Sequence, residues 1–181
     1  LQLDLAEIQA DISIMDSISI AGQAVIDHLN SENEPSNSFN YDVQISRINP
    51  HFDPIQGGYS LLMSKGLDII SNDSLRGSIS KLYESSYPYY AKYENERIFK
   101  INNIIVPKFS QYFSFLNVDH NYFNSTSDIS QEAYMQLKSD PTFITILNLA
   151  ISENKMVKNR AENTSSYISA LIDLIDQELG E

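Results

Sequence analysis

The chain contains no cysteine, which excludes disulfides, thiolate zinc sites and cysteine nucleophiles. The redox compartment stays open, because a chain can do without cysteine in any of them. Positive charge is scarce as well: Lys and Arg number 12 against 24 Asp and Glu, for a net charge of −12 and a pI near 4.5. Neutralising phosphates takes clustered basic side chains, so DNA, RNA and an anionic membrane face are poor matches as the main partner, and no nucleic-acid partner is predicted. No run approaches the roughly 18 apolar residues that span a bilayer, and no signal peptide opens the chain. Clean strand alternation is missing, as are the HExxH, GxSxG and P-loop motifs. The paired Glu-x-x-His of a di-iron bundle does not occur either. No cofactor and no metal site is predicted.

What is present is an ordinary globular balance, 42% hydrophobic and 20% charged over 181 residues. That length suits a single domain with a real core, spanning 1–181. Leu1, Leu5, Ile8, Ile12 and Met15 are spaced by four and three, and Ile18, Val25 and Leu29 continue the stripe past Gly22. Asp4, Glu7, Asp11 and Asp16 are expected on the opposite, solvated side. Ser31 to Asn40 is polar, contains Pro35 and reads as a loop. Asp53-Pro54 has the form of a helix start, with Ile55, Tyr59, Leu62 and Met63 on the helix and Gly66 ending it. Leu67, Ile69 and Ile70 then plug the core, and Asn72 caps a helix in which Arg76 pairs with Asp73, Glu84 or a neighbouring helix.

From Leu75 to Tyr93 the apolar spacing stays helical and crosses Pro88 in phase, which predicts a kink and not a break. Ile98 to Ile105 extend it to Pro107, and Phe109, Tyr112, Phe113 and Leu116 predict another helical piece. Ser127 or Asp128 is the expected cap of a short helix ending near Lys138. Asp140-Pro141 then begins the clearest element, where Phe143, Leu147, Ala150, Asn154, Val157, Ala161, Thr164, Ile168, Leu171 and Ile175 alternate by four and three. A repeat of 3.5 residues is what antiparallel bundles and coiled coils use. The reading is all-α: an elongated antiparallel helical bundle of three long helices plus short connecting helices. The first and last helices are expected to pack antiparallel, with Leu1 to Met15 facing Ile168, Leu171, Ile175 and Leu179.

Chemistry-bearing residues are few. His51 stands two residues from Asp53, and His120 follows Asp119. Either pair could ligate a metal or form an acid–base couple, whereas their loop placement favours ordinary surface roles and keeps the two histidines out of joint reach. His28 sits near a helix end, where a cation is favoured. The segment Tyr83 to Arg97 carries five tyrosines around Pro88. Phenol rings there could bind a ligand or peptide, with Arg97 meeting a carboxylate. Alternatively Tyr83, Tyr90 and Tyr93 pack in the bundle and leave Tyr87 and Tyr89 exposed. Arg76 could hold an anion at its helix start. The candidate ligand- or partner-binding residues are therefore Tyr87, Tyr89, Arg97 and Arg76. Sequons at Asn72, Asn124 and Asn163 matter only in a glycosylating host.

The stretch Gly57 to Glu84, GGYSLLMSKGLDIISNDSLRGSISKLYE, resembles the central motif of an uncharacterised bacterial family common in Bacteroidota. That motif is a serine- and leucine-containing helix, then (S/G)-K-x-LDLI-x-N-x-x-LR, then a helix ending in tyrosines. Ser60, Leu61, Leu62, Lys65, Gly66, Leu67, Asp68, Ile70, Asn72, Leu75 and Arg76 carry the resemblance, and Tyr167 to Leu179 resembles the family's ending. The family comprises short single-pass membrane-anchored proteins of unknown function, with a basic head and one transmembrane helix before the helical part. It implies topology and no catalytic residues. A basic head stays inside, so the resemblance implies an extracytoplasmic, periplasmic-side domain tethered through an N-terminal transmembrane helix that the sequence does not contain. The apolar stripe that starts in phase at Leu1, with no cap before it, is expected of a helix continuing a longer one.

Two functions follow as expectations. One is a membrane-tethered extracytoplasmic helical interaction or sensory module without catalysis, engaging a protein partner or a second copy through its helices. The other is a hydrolase or metal-dependent enzyme using His51, Asp53, Asp119 and His120.

Overall fold

The computed structural model of the protein describes residues 1–31, 34–116 and 126–180. Helix accounts for 80% of it and one two-stranded sheet for the extended part, so the protein is all-α with a long first and a long last helix. The helices are α1 (Gln2–Leu29), α2 (Asn37–Ile45), α3 (Gly57–Lys65), α4 (Asp73–Lys81), α5 (Tyr87–Lys100), α6 (Val106–Phe109), α7 (Gln131–Lys138) and α8 (Pro141–Leu179). The strands are β1 (Ser114–Leu116) and β2 (Thr126–Asp128). His120, Asp119 and Asn124 lie outside the described residues.

The buried face of α1 runs through Asp4, Ile8, Asp11, Met15, Ile18, Gly22, Val25 and Leu29. The predicted stripe is thus correct at Ile8 and Met15, but Asp4 and Asp11 occupy its centre and Leu1, Leu5 and Ile12 only flank it. Asp4 tolerates full burial because its carboxylate accepts the Ile55 N–H at 3.1 Å and the Tyr87 hydroxyl at 2.8 Å.

The chain divides into two compact units. The first comprises the described parts of Leu1–Ser13, His51–Asn95 and Val157–Glu181. Here α4 begins at Asn72, whose side chain accepts the Ser74 and Leu75 N–H groups, and α3 stops at Gly66 in a left-handed conformation, φ 88°. Arg76 closes the corner by donating to the Ile70 carbonyl at 2.8 Å and pairing with Asp73. The corner differs from expectation in two ways. Asp53 caps nothing, since α3 starts after Gln56 without a side-chain cap. Neither α3 nor the 3₁₀ turn Leu67–Ile69 that follows buries a residue, and Leu61, Met63 and Ile69 are exposed. The start of α1 lies beside the end of α8, with Leu1, Gln2 and Leu3 sharing a hollow with Ile172, Ile175 and Asp176. Ile168 and Leu171 are buried, whereas Leu179 is 68% exposed and takes no part in the predicted seam.

Between α4 and α5 the helix widens into a π turn, Leu82–Ser86, where the Tyr87 N–H reaches the Leu82 carbonyl five residues back. A second π turn, Ile101–Ile105, sends the Val106 N–H to the Ile101 carbonyl. Each ends two residues before a proline, Pro88 and Pro107. Proline lacks an N–H and its ring crowds the carbonyl four residues earlier, and a wider turn relieves both. The predicted kink at Pro88 is therefore an inserted residue.

The second unit comprises the described parts of Ile14–Pro50 and Glu96–Met156. Its core sets Phe39, Phe109, Phe113, Tyr134 and Phe143 against Val25, Leu29, Leu147 and Ile151. Within it α1 and α8 are antiparallel: Asn154 bonds Met15 and Ser19, and Gly22 faces Ile151 and Leu147. A Cβ at Gly22 would stand 2.9 Å from Ile151 Cγ1, so glycine sets how closely the helices meet. The predicted helical piece through Leu116 ends at Phe109, and β1 pairs antiparallel with β2, Ser114 opposite Asp128. Ser127 and Asp128 accordingly lie in a strand and the cap of α7 is Ser130, whose hydroxyl accepts the Ala133 N–H. In α8, Asp140 accepts the Thr142 N–H at 2.9 Å, the predicted cap-plus-proline start.

Candidate functional site

The π turn governs which tyrosines are available. The spacing of five from Leu82 to Tyr87 rotates the buried face of α5 by one residue, so that it runs through Tyr87, Tyr90, Glu94 and Arg97. Tyr87, expected to be exposed, is 3% exposed, and its hydroxyl donates to Asp4. Burial first, and then that carboxylate, push its phenol far above the usual range. Tyr90 donates to Glu94 at 3.2 Å. Arg97, also buried, donates to the Pro50 carbonyl and reaches Asn154 Oδ1 at 3.5 Å. Arg76 serves the corner described above. Of the four candidates only Tyr89 stands in the open, at 55% exposure.

Tyr89 is one wall of a groove of about 450 Å³. Ser85 and Ser86 of the π turn line it on the same side, and Arg160, Asn163, Thr164 and Tyr167 of α8 line it on the other. The Arg160 guanidinium lies 3.6 Å from the centre of the Tyr93 ring and 5.9 Å from that of Tyr89. The two rings meet edge to face at 4.9 Å, and Lys81 Nζ sits 4.3 Å over Tyr167. Hydrogen bonds from Tyr89 and then Arg160 hold the Tyr93 phenol below its ordinary range. Among the described residues, the groove is lined by one cation and no carboxylate, in a chain with 24 acidic and 12 basic side chains. Such a surface can hold a flat apolar body.

A second cluster in the same unit involves the predicted His51 and Asp53. The imidazole Nδ1 lies 2.9 Å from Glu94 Oε2, and Nε2 lies 3.4 Å from Asp53 Oδ1. Glu94 is fully buried, and its other oxygen accepts the Phe52 N–H at 3.1 Å and the Tyr90 hydroxyl. A buried carboxylate at one ring nitrogen fixes the orientation of the imidazole, and the His51 side chain stays 47% exposed. Sequence reasoning missed Glu94 and Arg160. Glu94 is in phase with the core only once the π turn is counted, and Arg160 lies one residue from Ala161 on the predicted buried stripe. The signal for Arg160 was available: it flanks the small residues Ala161 and Thr164, which admit a neighbouring helix.

His28 packs with its ring 4.4 Å from Phe39 and 6.0 Å from Tyr134. Burial pushes its pKa down, against the expected preference for a cation at a helix end. Among the described residues no group of three or more His, Asp or Glu side chains is arranged to hold a metal ion. No helix among them is long and apolar enough to cross a membrane. No protein-family model, curated protein or solved structure matches the chain.

Proposed function

We propose that the chain is a helical interaction or sensory module without catalysis, the extracytoplasmic part of a membrane-tethered bacterial protein. The groove between the π turn and α8 carries this reading. Its lining among the described residues offers a cation held on aromatic rings, hydroxyl and amide groups, and no His, Asp or Glu to serve a nucleophile as base. π turns inside helices recur at functional positions, and here the turn places Ser85, Ser86 and Tyr89 on the groove wall. The exposed Leu61, Met63 and Ile69 beside the Gly66 corner support engagement of a protein partner or a second copy. The four-three repeat of α8 supports a helical, coiled-coil-like contact. The tether and the periplasmic side rest on the resemblance of the Gly57–Glu84 motif.

A thermal-shift screen against small metabolites, run in parallel on the wild-type protein and on Tyr89→Ala, tests the groove. The reading expects compounds that stabilise the first and not the second; compounds acting equally on both would place binding elsewhere. Protease treatment of spheroplasts that express the natural gene tests the tether. Protection of the domain in intact spheroplasts would contradict an outward-facing anchor.

Acid–base chemistry at His51 is a second reading, favoured by the buried Glu94 at its Nδ1. It predicts hydrolysis of activated esters that falls with His51→Ala and with Glu94→Gln. A rate unchanged in both variants removes it.

A further inference from the structure

We infer that the groove takes a neutral saccharide, its apolar C–H faces on Tyr89 and Tyr167 and its hydroxyls bonding Ser85 and Asn163. The inference rests on the reading of the groove as a binding site and adds the class of ligand. Fixed geometry gives the first argument. Tyr89 is 55% exposed, yet it is held at both ends. Its ring meets Tyr93 edge to face at 4.9 Å, and its hydroxyl donates to the Tyr93 phenol. Arg160 completes the set: its guanidinium lies 3.6 Å from the centre of the Tyr93 ring and hydrogen-bonds the same phenol, and its Nε is buried. An exposed ring whose rotamer is set in advance takes up a flat partner at little entropic cost.

Charge decides the sign of the ligand. Among the described residues the lining holds no acid, and its single cation, Arg160, is committed to Tyr93, so an anion is offered no guanidinium edge. A cationic ligand meets Lys81 over Tyr167 and Lys92 over Tyr93 and is repelled. A neutral ligand remains, and the walls define its surface. Tyr89 and Tyr167, the latter 45% exposed, offer apolar rings on the two sides of a groove of about 450 Å³. On the same two walls Ser85 and Asn163 are exposed and offer a hydroxyl and an amide. Ser86 donates to the Lys81 carbonyl at 3.3 Å, which leaves its oxygen able to accept. A purely aromatic body covers the rings but takes these polar groups out of water unpaired, which costs binding. A pyranose satisfies both: its C–H groups make an apolar face that lies on an aromatic ring, and its hydroxyls donate and accept around the edge.

An array of immobilised neutral, sialylated and sulfated glycans, probed with the labelled full chain, tests the ligand class. Binding is expected on neutral glycans, with no gain for sialylated or sulfated forms of the same core. Calorimetric titration with the best neutral glycan in solution should show about tenfold weaker binding for Tyr89→Ala and for Tyr167→Ala, each of which removes one stacking face. Tyr41→Ala removes a tyrosine that is 58% exposed and does not line the groove, and should leave the affinity unchanged. Circular dichroism and the melting temperature of each variant separate lost binding from lost folding. A preference for the acidic glycans that Tyr89→Ala still weakens overturns the neutral class and leaves the groove standing. No binding across the array overturns the saccharide, and the groove is then judged by the thermal-shift comparison of wild type with Tyr89→Ala. Binding that neither Tyr89→Ala nor Tyr167→Ala weakens overturns the groove as the saccharide site.

Discussion

Asn154 of α8 donates to the main-chain carbonyl of Met15 in α1 at 2.6 Å, in the interior of the second unit. The same amide group reaches Ser19 Oγ at 2.8 Å, and its oxygen faces Arg97 Nη1 at 3.5 Å. Asn154 is 3% exposed and sits in the middle of the apolar four-three repeat. A lone amide in such a stripe fixes register, because any slip leaves it unpaired away from water. Asn154→Ala should lower stability by about 1–3 kcal/mol, read from the urea midpoint. An unchanged midpoint would mean that the Met15 contact contributes nothing net.

His28 gives a pH dependence of known sign. Its folded pKa lies below the ordinary 6.5 because burial disfavours the imidazolium. The stability it contributes is therefore complete above about pH 6.5 and is lost as the pH falls through the unfolded and then the folded value. Between about pH 7.5 and about pH 5.5 the wild-type protein should lose more stability than His28→Gln. Parallel slopes would show that His28 stays solvated.

Asp140 acts at the acid end. Lys108, Thr142 and Tyr112 hold its carboxyl well below the usual carboxylate range, with the Tyr112 hydroxyl at 2.6 Å and Lys108 paired to the same oxygen. A depressed folded value means stability present above the unfolded pKa, about 3.8, and lost as the pH falls toward the folded one. Asp140→Asn should be less stable than wild type near neutrality, and the gap should close on acidification below about pH 4. A gap that stays constant into acid would assign the effect to helix capping alone.

How much of this was legible depended on whether one period ran through a segment. In α8 it did. Phe143, Leu147, Asn154, Val157, Ala161, Thr164, Ile168 and Leu171 are all buried, while Ala150 and Ile175 of the same predicted stripe are half-buried, and the caps at Asn72 and Asp140 and the stop at Gly66 were readable from residue type. In α5 the period breaks inside the helix. The residue inserted before Pro88 moved Tyr87 into the core and brought Glu94 behind His51, which no fixed spacing reveals. Charge misled as well. Asp4 and Asp11 read as solvated because of their type, yet the backbone N–H of Ile55, distant in sequence, pairs with Asp4 in the interior. The three-residue strands β1 and β2 are too short for alternation to show. Apolar type misled in the opposite direction at Leu61, Met63 and Ile69, which stay exposed.

Amide NMR of the isotope-labelled protein, during titration with a compound that stabilises the wild-type protein and not Tyr89→Ala, tests the central claim most directly, that the groove is where this module binds. The account predicts shifts concentrated on Ser85, Ser86 and Tyr89 and on Arg160, Asn163, Thr164 and Tyr167, with His51 and Glu94 undisturbed. Shifts centred on His51 and Glu94, or none at the groove at saturating ligand, would contradict it.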